Sequence, residues 1–125
     1  MANEKILVVD DDKNICELLR LYLVKEGYNV TMVHDGGAAL AEFDKLHPDL
    51  VLLDVMMPVM DGLEATRRIR TCTHPRGATV PIIAISANAF ADDIQKAKNA
   101  GMNEHLAKPF EMEKVLRAIS RYHKV

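Results

Sequence analysis

Short apolar runs alternate with segments of helical period along the whole chain. Two of the runs, LVLLD and PIIAIS, are apolar at successive positions, as expected for central strands of a parallel sheet covered on both faces. The run YNVTMV mixes polar residues with apolar ones, which favours an edge position. The predicted strands cover residues 5–9, 28–33, 49–54, 81–86 and 104–107.

The segments between these runs have the spacing of amphipathic helices. In the first of them, apolar residues between Ile15 and Leu23 recur at helical spacing, and Gly27 is a stop signal. Five strand–helix pairs, joined by right-handed crossovers, predict an open doubly wound α/β sheet. The predicted helices lie in the segments NICELLRLYLVKEG, GGAALAEFDKLHP, GLEATRRIRT, DDIQKAKNAG and EMEKVLRAISRYH.

Length and composition are those of one globular domain over residues 1–125, with 49% hydrophobic and 27% charged residues. The net charge of -2 provides no basic field for a nucleic acid. No apolar run approaches the roughly 20 residues that span a bilayer, and acids directly follow the first apolar run, unlike a signal peptide. Cys16 and Cys72 lack a CxxC spacing and are predicted to be reduced thiols of a cytoplasmic protein.

Small polar and charged residues stand at the ends of four predicted strands. In open α/β sheets, functional groups gather beyond the carboxyl ends of the strands, near the point where the strand order reverses. The residues at these strand ends are Asp10, Asp11 and Asp12 after the first strand, Asp54 at the third, Ser86 with its neighbour Ala87 at the fourth, and Lys108 with its neighbour Pro109 after the fifth. The sequence therefore predicts one site that combines acids, a hydroxyl and a lysine.

Several carboxylates at one sheet edge repel one another and raise each other's pKa values unless a cation lies among them. Magnesium suits a site with one or two carboxylates, several waters and a phosphate. A lysine opposite the acids would meet a phosphoryl group, and a carboxylate can attack phosphorus. These residues therefore favour the acceptance of a phosphoryl group by an aspartate with the help of magnesium. Asp12 is predicted instead to cap the first helix.

Four stretches together resemble the receiver domains of two-component response regulators, over essentially the whole chain. They are ILVVDDD, PDLVLLDVMMPVMDG, PIIAISANA and AKPF, in the order that the family has. The resemblance implies a flavodoxin-like (βα)5 sandwich with the strand order 2-1-3-4-5. The first half is more similar to receivers of transcriptional regulators, and the segments RTCTHPRGATVPI and PIIAISANAFADD are more similar to receivers of hybrid histidine kinases, so the subfamily stays open.

The resemblance also implies a role for each matching acid. Asp54 would be the phosphoacceptor. Magnesium, or manganese in its place, would be bound by Asp10, Asp11 and Asp54, with Asp10 acting directly or through water. The backbone carbonyl of Met56 would complete the protein ligands.

The phosphoryl group would be held by Ser86, Ala87 and Lys108 on the same resemblance, and Ser86 would report its presence. The bond between Lys108 and Pro109 would be a cis peptide, which proline tolerates. His105 occupies the aromatic switch position of the family. Since the family usually has tyrosine or phenylalanine there, a switch role for this histidine is left open.

The implied function is a phosphorylation-dependent signalling switch. A histidine kinase or a phosphotransfer protein would supply the phosphoryl group from a phosphohistidine. The face formed by the fourth helix, the fifth strand and the fifth helix would then relay the signal to a downstream effector, an output domain or a second copy of the domain. No enzyme activity is expected beyond slow self-catalysed phosphorylation and dephosphorylation, and no direct contact with nucleic acid or membrane.

Two alternatives remain at this point. An aspartyl-nucleophile phosphatase of the haloacid-dehalogenase class would carry a second acid two residues after the nucleophile, where this chain has Met56, which cannot transfer a proton. A phosphorylation-independent interaction module would not need the full set of acids, serine and lysine that the chain retains.

Other polar positions have structural interpretations. The histidines at positions 34, 47, 74 and 123 lack metal-ligand spacing and are predicted to lie at the surface. Asp61 and Gly62 are predicted to form a turn before the third helix. The segment TRRIR is predicted to be a solvated basic face of that helix.

Overall fold

The computed structural model describes residues 4–57, 60–72, 74, 76–86, 91–108 and 111–122. The described residues form a five-stranded parallel sheet in the order β2-β1-β3-β4-β5. This order confirms the predicted doubly wound fold. The strands are β1 (Lys5–Val9), β2 (Asn29–Val33), β3 (Leu50–Asp54), β4 (Ile82–Ser86) and β5 (Glu104–Ala107), and the helices are α1 (Lys13–Lys25), α2 (Gly36–Leu46), α3 (Gly62–Thr71), α4 (Ala91–Ala100) and α5 (Met112–Arg121).

The core lies in two layers, one on each face of the sheet. Because successive side chains of a strand point to opposite faces, each central strand contributes to both layers. One layer contains Phe43 of α2, Ile69 of α3 and Ala97 of α4. The other contains Leu19 of α1 and Ile119 of α5. The helices therefore cover both faces, and the central strands β3 and β4 are buried along their whole length.

The prediction that YNVTMV forms an edge strand is confirmed, since β2 lies at one edge of the sheet and is only partly buried. The predicted strands at 28–33, 49–54 and 81–86 each begin one residue too early. At position 81 the reason is chemical, because proline has no N–H to donate to the ladder. Just before β3, Asp49 bonds Lys5 twice: its N–H donates to the Lys5 carbonyl at 2.7 Å, and its carboxylate accepts a 2.8 Å hydrogen bond from the Lys5 N–H.

Aspartates begin three of the helices. Asp12 caps α1 by accepting hydrogen bonds from the N–H groups of Asn14 and Ile15 at 2.9 and 3.4 Å. Asp35 caps α2 and Asp61 caps α3 in the same way. Each carboxylate satisfies backbone donors that have no partner inside the helix. The prediction that Asp12 is a helix cap is therefore confirmed.

The segment TRRIR is only in part the solvated face that its sequence predicts. Arg67 and Arg68 are exposed and pair with Glu64 on the same helix. Arg70 instead turns inward and is half-buried. The prediction is therefore wrong for Arg70, since charge pattern alone does not show which arginine lies beside unsatisfied carbonyl groups.

Arg70 joins three parts of the chain. Its guanidinium donates to the Gly101 carbonyl at 2.9 and 2.8 Å, to the Gly77 and Val80 carbonyls at 3.1 and 2.7 Å, and to Asn103 Oδ1 at 2.8 Å. These bonds tie the end of α3 to the segment before β4 and to the turn between α4 and β5. A planar guanidinium with several fixed donors suits this role better than a lysine.

Replacing Arg70 with methionine is expected to lower the free energy of unfolding by about 2–4 kcal/mol, since several partly buried carbonyls lose their donor while the length of the side chain is kept. Urea denaturation followed by circular dichroism measures the change. Arg68→Met on the exposed face of the same helix is the control and should change the free energy of unfolding little. Equal effects of the two variants would contradict the role of Arg70.

Both cysteines are free, with Cys16 buried in the core and Cys72 exposed. In the part of the chain that the structure describes, no helix has the length and apolar character needed to cross a membrane.

Candidate functional site

The acids predicted from the sequence meet at the carboxyl ends of β1 and β3. These strands are neighbours, and Val9 pairs with Leu53 in their register, so that Asp10 and Asp54 come next on adjacent strands. Asp11 follows at the start of the loop into α1. Carboxylate oxygens of Asp10, Asp11 and Asp54 all lie within 4.8 Å of one another. Among the described residues, no other set of three or more histidine, cysteine or acidic side chains could hold a metal ion.

The three carboxylates differ in burial. Asp10 is 0% exposed and Asp54 is 2% exposed, whereas Asp11 is open to solvent. Burial and the negative charge of Asp10 raise the pKa of Asp54 from 3.8 to about 7. Lys108 and a hydrogen bond from the Met56 N–H to Asp54 Oδ1, at 3.2 Å, act in the opposite direction but do not cancel the rise.

Lys108 reaches both buried acids. Its Nζ lies 3.0 Å from Asp10 Oδ2 and 3.5 Å from Asp54 Oδ1. Burial disfavours the ammonium, but the hydrogen bond and the charge of Asp10, together with Asp54, outweigh it and raise the pKa of Lys108. The lysine therefore stays charged between two carboxylates.

Ser86 is the last residue of β4 and is buried. Its carbonyl accepts a 2.7 Å hydrogen bond from the Lys108 N–H, so the ends of β4 and β5 are joined directly beside the acids. Ala87 and Pro109 lie outside the described residues, and so does the predicted cis peptide. The structure thus brings Asp10, Asp11, Asp54, Ser86 and Lys108 to one edge of the sheet.

The donor set fits a hard divalent cation. Three carboxylates offer oxygen ligands, and Lys108 balances only one of their charges, which leaves two negative charges for one Mg²⁺. Magnesium usually keeps several waters and takes one or two carboxylates from a protein, and the exposed Asp11 gives the site an open side. A cation here would also offset the repulsion that raises the pKa of Asp54.

The sequence matches the response regulator receiver domain family over residues 6–120. The chain belongs to this family. Sporulation initiation phosphotransferase F of Bacillus subtilis (strain 168) is 38% identical over 122 residues, which cover 98% of this chain and 95% of that protein.

Solved receivers have the same fold. The receiver domain of the sensor histidine kinase PA1611 of Pseudomonas aeruginosa PAO1, which has a magnesium ion coordinated in its active site cleft, matches with a TM-score of 0.87 and 39% identity. The match covers 97% of this chain and 98% of that one. The chemotaxis protein CheY4 of Vibrio cholerae matches with a TM-score of 0.91 and 32% identity, over 98% of this chain and 100% of that one.

In this receiver, His105 lies on β5 opposite Ala84 of β4. Ala84 belongs to the core layer that includes α2, α3 and α4, so the histidine faces that layer. The Nε2 atom is buried and has no hydrogen-bond partner among the residues that the structure describes. Its role as a switch stays a prediction.

Met56 has an exposed side chain, with 63% of its surface accessible. Its N–H is the group that contacts Asp54. The main chain of Met56 is therefore held beside the Asp54 carboxylate, while its side chain is exposed to solvent.

Sequence reasoning missed one close contact of the receiver site. The Asp61–Gly62 pair predicts a turn, and Asp61 does cap α3. Gly62 also allows the start of α3 to lie against the backbone of Asp54. A Cβ atom there would overlap the carbonyl oxygen of Asp54 and would come within 2.9 Å of Asp54 C and Val55 Cα. Only glycine lets α3 begin directly against the end of β3. The Asp-Gly pair in the sequence shows a turn but not this approach.

Gly62→Ala is expected to lower the free energy of unfolding by about 1–3 kcal/mol, because an extra methyl group is forced against the backbone. It should also slow phosphorylation of Asp54 at least about tenfold, since small displacements of reacting groups are costly. Denaturation and intact mass against time measure the two effects.

Gly37→Ala is the matched control for Gly62→Ala, in the first turn of α2. A Cβ at Gly37 would meet only Asp35 Oδ1, at 3.4 Å, so this variant should keep the wild-type rate and gain up to about 1 kcal/mol from helix propensity. A Gly62→Ala variant that behaves like Gly37→Ala would contradict the close approach.

Proposed function

We propose that this receiver is a phosphorylation switch that takes a phosphoryl group from the phosphohistidine of a histidine kinase or phosphotransfer protein onto Asp54. The observation that carries the proposal is the charged Lys108 between the buried carboxylates of Asp10 and Asp54, 3.0 and 3.5 Å away. A structural ion pair needs one acid, whereas this site brings three acids and one lysine together from the ends of β1, β3 and β5.

The residues that would hold Mg²⁺ are Asp10, Asp11, Asp54 and the carbonyl of Met56. When bound, the cation supplies positive charge that neutralises the acids and the phosphoryl oxygens. An oxygen of the Asp54 carboxylate attacks phosphorus, the P–N bond to the donor imidazole breaks with its electron pair going to nitrogen, and an acyl phosphate forms. Lys108 stabilises the charge on the transferred group.

The phosphoryl oxygens would be held by the Ser86 hydroxyl, the Ala87 N–H and the Lys108 ammonium. Since the Ser86 carbonyl and the Lys108 N–H are already bonded at 2.7 Å, a pull on either residue displaces the ends of both β4 and β5. The α4-β5-α5 face would change with them and would bind an effector, an output domain or a second copy of the receiver. The two free thiols fit a reducing compartment, and we place the receiver in the cytoplasm.

The site favours a switch over a phosphatase. A phosphatase with an aspartyl nucleophile would need an acid or base near the leaving group, and the residue two positions after Asp54 is Met56, whose side chain is exposed and carries no transferable proton. The complete set of acids, serine and lysine in one place likewise favours a phosphorylated receiver over a phosphorylation-independent interaction module.

The test is incubation with acetyl phosphate and Mg²⁺, followed by intact mass. Wild-type protein should gain the mass of one phosphoryl group, and Asp54→Asn should gain none. A chelator added before the acetyl phosphate should prevent the adduct on the wild type as well. No adduct on the wild type, or an equal adduct on Asp54→Asn, would refute the proposal, and rapid turnover of a phosphomonoester would favour the phosphatase.

A further inference from the structure

The main-chain carbonyl of Asp10 accepts two hydrogen bonds from side chains outside the acidic site. Cys16 Sγ of α1 lies 3.3 Å from this oxygen, and His34 Nδ1, in the segment after β2, lies 3.1 Å from it. A carbonyl only accepts, so Nδ1 of His34 carries a proton. The oxygen has two lone pairs and can receive both donors.

The thiol is suited to this contact. Cys16 is fully buried, and its Sγ donates to the Asp10 carbonyl from inside the core. His34 is only half-buried, and its ring lies 3.7 Å from the sulfur, so that the two side chains form one small cluster around the carbonyl. His34 was predicted to be a surface residue, and the structure corrects this prediction, since the ring is half-buried and contacts the Asp10 carbonyl.

This carbonyl belongs to the peptide that joins Asp10 to Asp11. The Asp10 N–H donates to the Val33 carbonyl at 3.2 Å, and Asp10 Oδ1 accepts from the Asp12 N–H at 2.9 Å. The backbone of Asp10 is thus fixed on both sides, by β2 and by the Cys16–His34 cluster. Because a peptide group is planar, fixing its carbonyl also fixes the direction in which the chain continues to Asp11.

We propose that His34 and Cys16 are positioning residues for the metal-binding acids, through the Asp10–Asp11 peptide. This inference rests on the proposed function, because it assumes that Asp10 and Asp11 bind Mg²⁺. Some residues hydrogen-bond to metal ligands without binding the metal themselves. Loss of such a residue commonly weakens metal affinity by about 10-fold or more. Both side chains contact Asp10 through hydrogen bonds to its main-chain carbonyl, so we expect them to act on the metal-binding acids through the backbone.

The test compares variants that keep a hydrogen-bond donor with variants that lose it. His34→Phe keeps a ring but removes the N–H, whereas His34→Asn keeps an N–H donor near the Nδ1 position. Cys16→Ala and Cys16→Ser form the second such pair. The Mg²⁺ dissociation constant is measured for each full-length variant by NMR titration of backbone amides, and thermal unfolding is measured beside it.

We expect His34→Phe and Cys16→Ala to weaken Mg²⁺ binding about 5- to 10-fold, and His34→Asn and Cys16→Ser to stay within about twofold of the wild type. Ile119→Val, in the core at α5 and far from the acids, is the control for loss of stability and should leave Mg²⁺ affinity unchanged.

Two results overturn the inference while the proposed function stands: normal Mg²⁺ affinity in His34→Phe, or equal weakening in His34→Phe and His34→Asn. The second result would show that ring packing matters and the N–H does not. A wild-type protein without a saturable Mg²⁺ response would instead refute the proposed function itself.

Discussion

Asp11→Ala is expected to abolish the magnesium-dependent phosphorylation of Asp54, with a loss in rate of at least about 100-fold. Asp10 is fully buried and already paired with Lys108. Asp11 is the acid of the site that solvent reaches, so it is the carboxylate that an incoming hydrated ion meets first. Intact mass against time, with acetyl phosphate at several Mg²⁺ concentrations, measures the loss.

Asp12→Ala is the matched control for Asp11→Ala, since it removes the next carboxylate in the chain. Asp12 caps α1 and accepts from Asn14 and Ile15, so its loss should cost about 1 kcal/mol of stability and should leave the phosphorylation rate within about twofold. Similar losses of rate in both variants would show that the acids act together through general negative charge. The assignment of Asp11 to the metal and of Asp12 to the helix cap would then be wrong.

Asp54→Asn is expected to stabilise the metal-free protein at about pH 8 by on the order of 2 kcal/mol. Burial and Asp10 raise the pKa of Asp54 from 3.8 to about 7, so the folded state at pH 8 carries a carboxylate that its surroundings disfavour. A pKa change of this size sets an upper bound of about 4 kcal/mol. Loss of the attraction to Lys108, 3.5 Å away, reduces the net gain.

The difference in stability between the wild type and Asp54→Asn should depend on pH. Between 3.8 and about 7 the folded state binds a proton on Asp54 that the unfolded state does not. The stability contributed by the protonated carboxyl is therefore complete below the unfolded pKa and is lost as the pH rises through the folded pKa. The advantage of Asp54→Asn should accordingly shrink as the pH falls from about 8 toward about 4.

Urea denaturation in the presence of a chelator, at several pH values, measures this difference. Asp44→Asn, an exposed acid of α2, is the control and should show little change at any pH. Mg²⁺ should stabilise the wild type more than Asp54→Asn, since a ligand that binds the folded state raises the free energy of unfolding. A less stable Asp54→Asn at about pH 8 would contradict the electrostatic cost assigned to Asp54.

The elements and their order follow from local pattern. Runs such as LVLLD and the helical spacing from Ile15 to Leu23 define strands and helices within a residue or two, because side-chain periodicity reflects which face is buried. The edge position of β2 follows from its polar residues, and the cap at Asp12 from the residue type. The convergence of Asp10, Asp54 and Lys108 follows from the rule for strand ends in parallel sheets.

The sequence by itself therefore determined the fold class, the strand order through the family resemblance, and the edge of the sheet where the acids meet. The tertiary structure alone decided what depends on contacts between distant parts of the chain: the approach of Gly62 to Asp54, the inward turn of Arg70, and the bond from His34 to the Asp10 carbonyl. The pKa of Asp54 belongs to the same group, because burial and the neighbouring Asp10 set it. Local spacing determines which face of an element is buried, but the partner of each polar group is fixed only when the crossovers bring separate elements together.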